Sequence, residues 1–164
     1  MNFGFTETQI KFRKEVRAFL DDELSKGSFR VRSNGQVEGY SPEFSKKIAE
    51  KGWIGITWPK EYGGQGRTYV DRAIMMEELL RYQAPVGFHF LGDRQVGPAL
   101  IHFAGDDLKK EYLPKILAGQ LSFCLLFSEP DAGSDLVSAK TSAREDGDDY
   151  VINGQKVWTS GGHR

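Results

Sequence analysis

The 164-residue sequence has few of the residues that mark disulfide-rich, metal-binding or membrane-spanning proteins. Cys124 is the single cysteine, which excludes an internal disulfide, and the three histidines show no metal-ligand spacing. No stretch approaches the roughly 18 apolar residues of a membrane span, and the N-terminus carries charges where a signal peptide needs an apolar core. The composition therefore predicts a cytoplasmic protein without a metal site, in which Cys124 is a packed thiol.

An excess of charge of one sign is also missing from the sequence. The 22 Lys and Arg residues nearly balance the 23 Asp and Glu residues, giving a formal net charge of -1, and the two signs are interspersed. Nucleic-acid binding needs a clustered positive surface, so no nucleic-acid partner is predicted.

Glycine is abundant, with 19 residues gathered in a few clusters. Residues 52–67 alternate glycine with aromatic residues, and we predict a compact loop pinned by its two tryptophans. Within it, Gly63-Gly64-Gln65-Gly66 lacks the following Lys-Ser/Thr of a phosphate-binding loop. A structural turn is therefore the favoured interpretation, and phosphate binding is the minor alternative.

Capping residues mark several helix starts. Residues 6–9 (TETQ) have the spacing of a capping box, and the apolar period after them predicts a first helix to about residue 24. Ser41 and Pro42 predict the N-cap and first position of a short second helix, and Thr68 predicts the start of a third.

Two more helices are predicted further along the chain. One covers residues 91–104, and the other runs from Asp106 to the terminator Gly119. Pro114 lies inside the second pattern and lacks a backbone N–H, so we expect that helix to be broken or kinked there.

The pattern changes at Leu121. Residues 121–128 (LSFCLLFS) form a short, continuous apolar run that is typical of a buried strand. Shorter extended runs follow at 141–144, 150–152 and 156–158, separated by Asp146-Gly147-Asp148 and by Asn153-Gly154. Asn-Gly between apolar runs is the stronger hairpin-turn signal of the two. The fold class predicted is α+β: an N-terminal all-α helical bundle (1–120) followed by a truncated antiparallel β-domain (121–164).

Few residues carry an obvious chemical signal. Glu77 and Glu78 are adjacent, so at most one of them reaches a buried site, and a solvated or salt-bridged pair is the favoured interpretation. The loop after the apolar run is more informative, since Ser128, Ser134 and the backbone around Gly133 suit hydrogen bonds to a phosphate or to polar ring atoms. A plain tight turn over this loop is an equally open alternative.

The phrase FSEPDAGSDL, followed by DGDDYVINGQKVWTSGG, resembles the flavin-binding signature of the acyl-CoA dehydrogenase family. The resemblance extends to GWIGITWPKEYGG, MMEELLR and KKEYLPKILAGQ, in the family's order and over nearly all of the chain. It implies an N-terminal α-helical domain and the start of a middle β-domain, with FAD bound between the middle domain and a C-terminal helical domain.

The resemblance also implies which residues bind the cofactor. They form two groups: Leu125, Phe127, Ser128, Gly133 and Ser134 in the first, and Trp158, Thr159 and Ser160 in the second. In the family, the first strand end and the Trp-Thr-Ser segment contact the flavin ring, and the position of Ser134 lies near the FAD pyrophosphate and the CoA part of the substrate. For Trp158 the alternative is a plain hairpin core residue.

The family reaction is the α,β-dehydrogenation of an acyl-CoA thioester, in which a glutamate removes the α-proton and the flavin accepts a hydride. No glutamate of this sequence matches that base by motif, so no catalytic residue is assigned. We expect an N-terminal fragment that is inactive alone, from a parent that forms a homodimer or homotetramer and passes electrons to an electron-transfer flavoprotein. Residues 86–100 resemble the region that lines the acyl pocket, without defining the acyl group. The alternative is a non-catalytic partner or binding module in a heteromeric flavoprotein complex.

Overall fold

A computed structural model describes residues 4–31 and 39–163 and divides the chain into two compact units, Met1–Ser122 and Phe123–Arg164. The first unit is helical and the second contains a two-stranded antiparallel sheet. The predicted order, a helical region followed by a β-region, is therefore confirmed. No helix within these described ranges is long and apolar enough to cross a membrane.

The helices of the first unit follow one another with short connections. They are α1 (Glu7–Ser25), α2 (Pro42–Glu50), α3 (Tyr69–Arg81), α4 (Gly87–Leu91), α5 (Gly97–Phe103) and α6 (Asp106–Leu117). A 3₁₀ turn covers Lys60–Tyr62, and a π turn, Gly92–Val96, joins α4 to α5. The predicted connection after α1 includes residues 32–38, which lie outside the described part of the chain.

The predicted helix starts are confirmed, together with their capping. The Thr6 hydroxyl accepts the Gln9 N–H, and the Gln9 side chain accepts the Thr6 N–H in return. The Ser41 hydroxyl caps α2 by accepting the Phe44 N–H, and Thr68 forms a second capping box at the start of α3. Each cap satisfies backbone donors that a helix start leaves unpaired.

The predicted helix over 91–104 is wrong in its start and its regularity. The helical chain begins at Gly87, and the π turn Gly92–Val96 interrupts it before α5 ends at Phe103. Inside that turn Asp93 is buried, and its carboxylate accepts the Gly55 N–H at 2.7 Å. A π turn adds one residue to a helical turn, so the spacing of apolar residues in α4 is out of phase with the spacing in α5. A single helical period therefore does not describe both helices.

Of the predicted break or kink at Pro114, the break is wrong, because α6 continues through Pro114 to Leu117, and the kink stays a prediction. Pro114 removes only the bond that its own N–H would donate to the carbonyl of Lys110. Both residues are exposed, so water can satisfy that carbonyl. The Pro114 carbonyl still accepts the Ala118 N–H at 3.0 Å.

The two tryptophans pin the glycine-rich loop, as predicted. Trp53 is buried and packs edge-on against Phe19, with ring centroids 5.1 Å apart. The indole of Trp58, only 3% exposed, donates to the Asp93 carbonyl at 3.1 Å. A Cβ on Gly64 would lie 2.2 Å from the Trp58 carbonyl oxygen, so the glycine is needed for close packing. This loop is a structural turn.

An ion-pair cluster joins α1 to α3. Glu78 is fully buried and binds Arg13 at 2.5 Å and Arg17 at 2.8 Å, while the exposed Glu77 binds Arg13 at 2.7 Å. Hydrogen bonding from Arg17 and Arg13 lowers the pKa of Glu78 below its usual range. The interpretation of this glutamate pair as salt-bridged is confirmed.

The second unit is built on a hairpin, β1 (Ser142–Asp146) and β2 (Asp149–Asn153), which fall on two of the predicted extended runs. The pairing closes at Asp146 and Asp149, so the turn is Gly147-Asp148. The hairpin predicted at Asn153-Gly154 is wrong. Gly147 has φ 66°, and a type II′ turn needs glycine only at this first position.

The predicted strand over residues 121–128 is not present as a regular strand in the described chain. A strand is defined by pairing, and here one backbone bond, from Val157 N–H to the Ser128 carbonyl at 2.9 Å, links this run to 156–158. Neither run joins the sheet of β1 and β2. Cys124 in this segment is half-buried, so its packing is only partial.

Candidate functional site

All residues of the two predicted cofactor-binding groups lie in the second unit. The bond from Val157 N–H to Ser128 O places the end of the apolar run beside the segment that contains Trp158. A second link is the Lys156 ammonium, which donates to the Phe127 carbonyl at 3.1 Å. The structure therefore brings Phe127 and Ser128 next to the residues that flank Trp158.

The loop that follows Ser128 is a tight turn. Glu129 N–H donates to the Ala132 carbonyl at 2.8 Å, and Ala132 N–H donates to the Glu129 carbonyl at 3.2 Å. Gly133 and Ser134 come directly after the turn and are exposed, and the Cβ position of Gly133 faces open space. The plain-turn alternative is thus correct for the backbone, and it leaves the polar groups after the turn accessible to a ligand.

Sequence reasoning missed Glu129 and its contacts. The side chain is 8% exposed and accepts hydrogen bonds from Lys140 N–H (2.6 Å), Thr141 N–H (2.9 Å) and Lys156 Nζ (2.9 Å). Hydrogen bonding from Thr141, made through its backbone N–H, and from Lys156 and the Lys140 N–H lowers the pKa of Glu129 to about 2. The sequence signal that could have identified this pair is an acid, Glu129, directly after the apolar run 121–128 and a lysine, Lys156, within the later run 156–158.

Trp158 lies on the surface of this unit. It is 90% exposed and follows the hairpin rather than belonging to it, so the alternative of a hairpin core residue is wrong. Its backbone has φ 57°, a left-handed conformation that costs a residue with a side chain roughly 1 kcal/mol. Residues held in such conformations cluster at active sites and ligand-binding segments.

The remaining site residues present apolar rings and hydroxyls. Phe127 is 55% exposed, Leu125 and Thr159 are half-buried, and Ser160 is exposed. Within residues 4–31 and 39–163, no hydrogen bond engages the hydroxyls of Ser128, Ser134, Thr159 or Ser160. A flavin ring needs an apolar wall and a few fixed polar groups, and the residues present fit that requirement.

The segment expected to line an acyl pocket, residues 86–100, lies in the first unit, where most of its residues are buried or half-buried. His89 lies with Nδ1 2.8 Å from the Ser45 hydroxyl, and burial lowers the pKa of its imidazole to about 4. Burial likewise raises the pKa of Asp93. The role of this segment toward an acyl group stays a prediction.

Two family sequence models match the chain. The acyl-CoA dehydrogenase N-terminal domain matches residues 6–120, and the middle domain of the same family matches residues 124–164. Together they cover the helical region and the loops that hold the candidate site.

Curated relatives agree with this match. The acyl-CoA dehydrogenase FadE26 of Mycobacterium tuberculosis is 40% identical over 164 residues, which is 98% of this chain and 40% of the relative. The mitochondrial isovaleryl-CoA dehydrogenase of Bos taurus is 35% identical over 160 residues, or 97% of this chain and 37% of the relative. The chain thus spans about two fifths of the length of these relatives.

Solved structures give the same result. The Tcur3481-Tcur3483 steroid ACAD has a TM-score of 0.86 and 38% identity, covering 98% of this chain and 42% of that one. The ChsE4-ChsE5 complex from Mycobacterium tuberculosis has a TM-score of 0.83 and 39% identity, covering 98% and 41%. On the matching domains, relatives and fold, the chain belongs to the acyl-CoA dehydrogenase family.

Proposed function

We propose that this chain is the flavin-contacting part of a FAD-dependent oxidoreductase that introduces a double bond between Cα and Cβ of an acyl-CoA thioester. The observation that carries the proposal is that a backbone hydrogen bond joins the segments around Ser128 and Trp158. These segments expose aromatic rings and carry hydroxyls without a hydrogen-bond partner in the described chain. We assign residues 1–120 to the N-terminal helical domain and residues 121–164 to the middle β-domain.

In this proposal, different side chains contact different parts of the cofactor. Trp158 and Phe127 supply apolar surface for the flavin ring, and the hydroxyls of Ser128, Thr159 and Ser160 orient its polar edge. Gly133 and Ser134 follow the tight turn with open space around them, which suits the approach of a phosphate from FAD or CoA. Bound FAD supplies the hydride acceptor for the reaction.

The catalytic base is not assigned to this chain. Glu129 is unsuitable because it is buried, bonded to three donors and has a pKa of about 2, far below that of an effective base near neutral pH. Glu78 is likewise held by two arginines. We therefore propose that the base comes from outside these 164 residues and that the chain alone is inactive.

The proposed substrate is an acyl-CoA with a bulky, steroid-like acyl group. The support is the high similarity to a structure named as a steroid ACAD, with a TM-score of 0.86. The proposed acceptor of electrons is an electron-transfer flavoprotein, and the proposed assembly is a dimer or tetramer. The cytoplasmic location expected from the sequence stays a prediction.

A second candidate function is a non-catalytic partner in a heteromeric flavoprotein complex. It is favoured by one observation: the two similar solved structures each carry the names of two proteins. In that case the residues around Ser128 and Trp158 would complete a flavin site only together with a second kind of chain.

The experiment is native purification of the full-length protein, once expressed alone and once co-expressed with a second member of the same family. Bound FAD and reduction of an artificial electron acceptor by a steroid-side-chain acyl-CoA, faster than by isovaleryl-CoA, would support the proposed enzyme. FAD retained only in the co-expressed complex would favour the heteromeric function. A protein without FAD in both preparations would rule out both functions.

A further inference from the structure

A largely buried ion pair lies between the two segments of the proposed flavin site. Glu129 Oε1 and Lys156 Nζ are 2.9 Å apart, with side-chain exposures of 7% and 19%. They are separated by 27 residues of sequence, so the contact is made only by the fold. Neither side chain belongs to the residues assigned to flavin contact.

The same two side chains bind backbone groups of several neighbouring segments. The Glu129 carboxylate accepts the N–H groups of Lys140 and Thr141, and the Lys156 ammonium donates to the Phe127 carbonyl. Glu129 also closes the tight turn with Ala132 through its own backbone. One ion pair thus connects the end of the apolar run, the turn, the chain before β1 and the segment before Trp158.

The exposed site residues have little other support. Phe127 is 55% exposed and Trp158 is 90% exposed, so packing of their own rings fixes neither position. Their backbone is held by Lys156 donating to Phe127 O and by Val157 N–H donating to Ser128 O. Of these two contacts, the one made by Lys156 is itself anchored by Glu129, so the ion pair is part of what places the backbone before Trp158 beside Phe127.

We propose that Glu129 and Lys156 are positioning residues that set the spacing between Ser128 and Trp158 and thereby the shape of the flavin site. The inference rests on the proposed function, and it adds residues that act on the site through the backbone. A buried ion pair is a weak source of net stability, and an apolar pair of similar volume would hold a core as well. The contribution that we propose for this ion pair is geometric, because its charged hydrogen bonds to backbone groups fix the positions of the segments that they join.

The test compares variants of the full-length protein purified with FAD. Glu129→Gln and Lys156→Met each remove one charge and keep the side-chain length, and Lys156→Arg restores the charge. Glu145→Gln is the matched control, since Glu145 is exposed on β1 of the same unit. The measurements are the FAD dissociation constant, kcat, and KM for acyl-CoA.

We expect FAD binding to weaken by about tenfold in Glu129→Gln and Lys156→Met, which corresponds to about 1.4 kcal/mol. We expect kcat to fall while KM changes little, because the flavin rather than the acyl-CoA is misplaced. Lys156→Arg should recover most of the affinity, and Glu145→Gln should match the wild type. Amide hydrogen exchange at Lys140, Thr141 and Val157, which needs no flavin, should speed up in the charge-removing variants only.

Several results would overturn the inference. Folded variants with faster amide exchange but FAD affinity and kcat within twofold of wild type would show that the pair serves the fold alone. Loss of folding in both charge-removing variants would lead to the same conclusion. If Glu129→Gln alone fails to fold, Lys156→Met decides. Wild-type protein that never binds FAD would contradict the proposed function and the inference together, whereas normal binding with unaffected variants contradicts the inference alone.

Discussion

Two tryptophans of this chain show how one residue type serves two purposes. Trp58 is 3% exposed and its indole donates to the Asp93 carbonyl, so it holds the glycine-rich loop against the π turn. Trp158 is 90% exposed in a left-handed backbone conformation. A large ring that is buried stabilises the fold, whereas one that is exposed beside available hydroxyls suits a ligand.

Gly97 is a sensitive position because of Trp58. A Cβ added there would lie 2.0 Å from a ring carbon of Trp58, so we expect Gly97→Ala to lower the free energy of unfolding by about 2 kcal/mol. Urea denaturation of the two proteins measures the difference. Gly39→Ala is the control, since a Cβ there meets nothing within 4 Å. Equal stabilities for the two variants would contradict the packing argument.

His89 should make stability depend on pH. Burial lowers the pKa of this imidazole from 6.5 to about 4, so the folded state holds it neutral while the unfolded state protonates near pH 6.5. The stabilisation is fully present above pH 6.5 and is lost as the pH falls toward 4. We expect a loss of about 2 kcal/mol between pH 7 and pH 5.

The measurement for His89 is urea denaturation at pH 7 and pH 5, for wild type and His89→Gln. The variant should be less stable at pH 7 and should lack the loss of stability at pH 5 that His89 causes. Glu78 and Glu129 have lowered pKa values and contribute only at more acidic pH. The raised pKa of Asp93 favours the folded state as the pH falls, and because Asp93 is present in both proteins, the difference between them isolates His89. The same pH dependence in both proteins would show that another group titrates.

At the scale of elements, local signals were sufficient for the helix starts and insufficient for long-range pairing. Thr6, Ser41 and Thr68 were identified because a cap needs only neighbouring residues. The π turn at Gly92–Val96 was missed because its shape depends on bonds from Gly55 and Trp58, which are distant in sequence. Asn153-Gly154 was the stronger hairpin signal, yet the hairpin turn lies at the other predicted separator, Gly147-Asp148.

Asn153-Gly154 shows why a turn signal can mislead. A Cβ on Gly154 would lie 2.2 Å from the Thr141 hydroxyl, so this glycine is required by a close approach of two chain segments. Glycine for close approach and glycine for a turn are identical in sequence. The distinction requires the tertiary contact itself.

The capping box of α3 gives a direct test of element stability. Thr68→Ala removes the acceptor for the Asp71 N–H, and we expect it to cost about 1 kcal/mol of unfolding free energy. Thr8→Ala is the matched control, because Thr8 is exposed within the first turn of α1 and is not the N-cap residue, which is Thr6. Thermal denaturation would compare the two, and an equal or larger loss for Thr8→Ala would contradict the capping role.

At the scale of the whole molecule, the sequence was sufficient to place the candidate site in the chain and insufficient to show what holds it. The motif around Ser128 and the segment at Trp158 were chosen from their resemblance to a family, and the fold brings these segments together. Glu129 and Lys156 were missed because their ion pair spans a long separation in sequence. Contacts of that kind become visible only in three dimensions.

The central claim, that this chain binds FAD around Ser128 and Trp158, is tested most directly by one comparison of FAD content. The full-length protein is purified natively as wild type, as Trp158→Ala and as Tyr150→Ala, the last being an exposed aromatic residue on β2. We predict that wild type and Tyr150→Ala retain FAD, while Trp158→Ala binds it about tenfold or more weakly. Trp158→Ala that retains FAD as tightly as the wild type would contradict the claim.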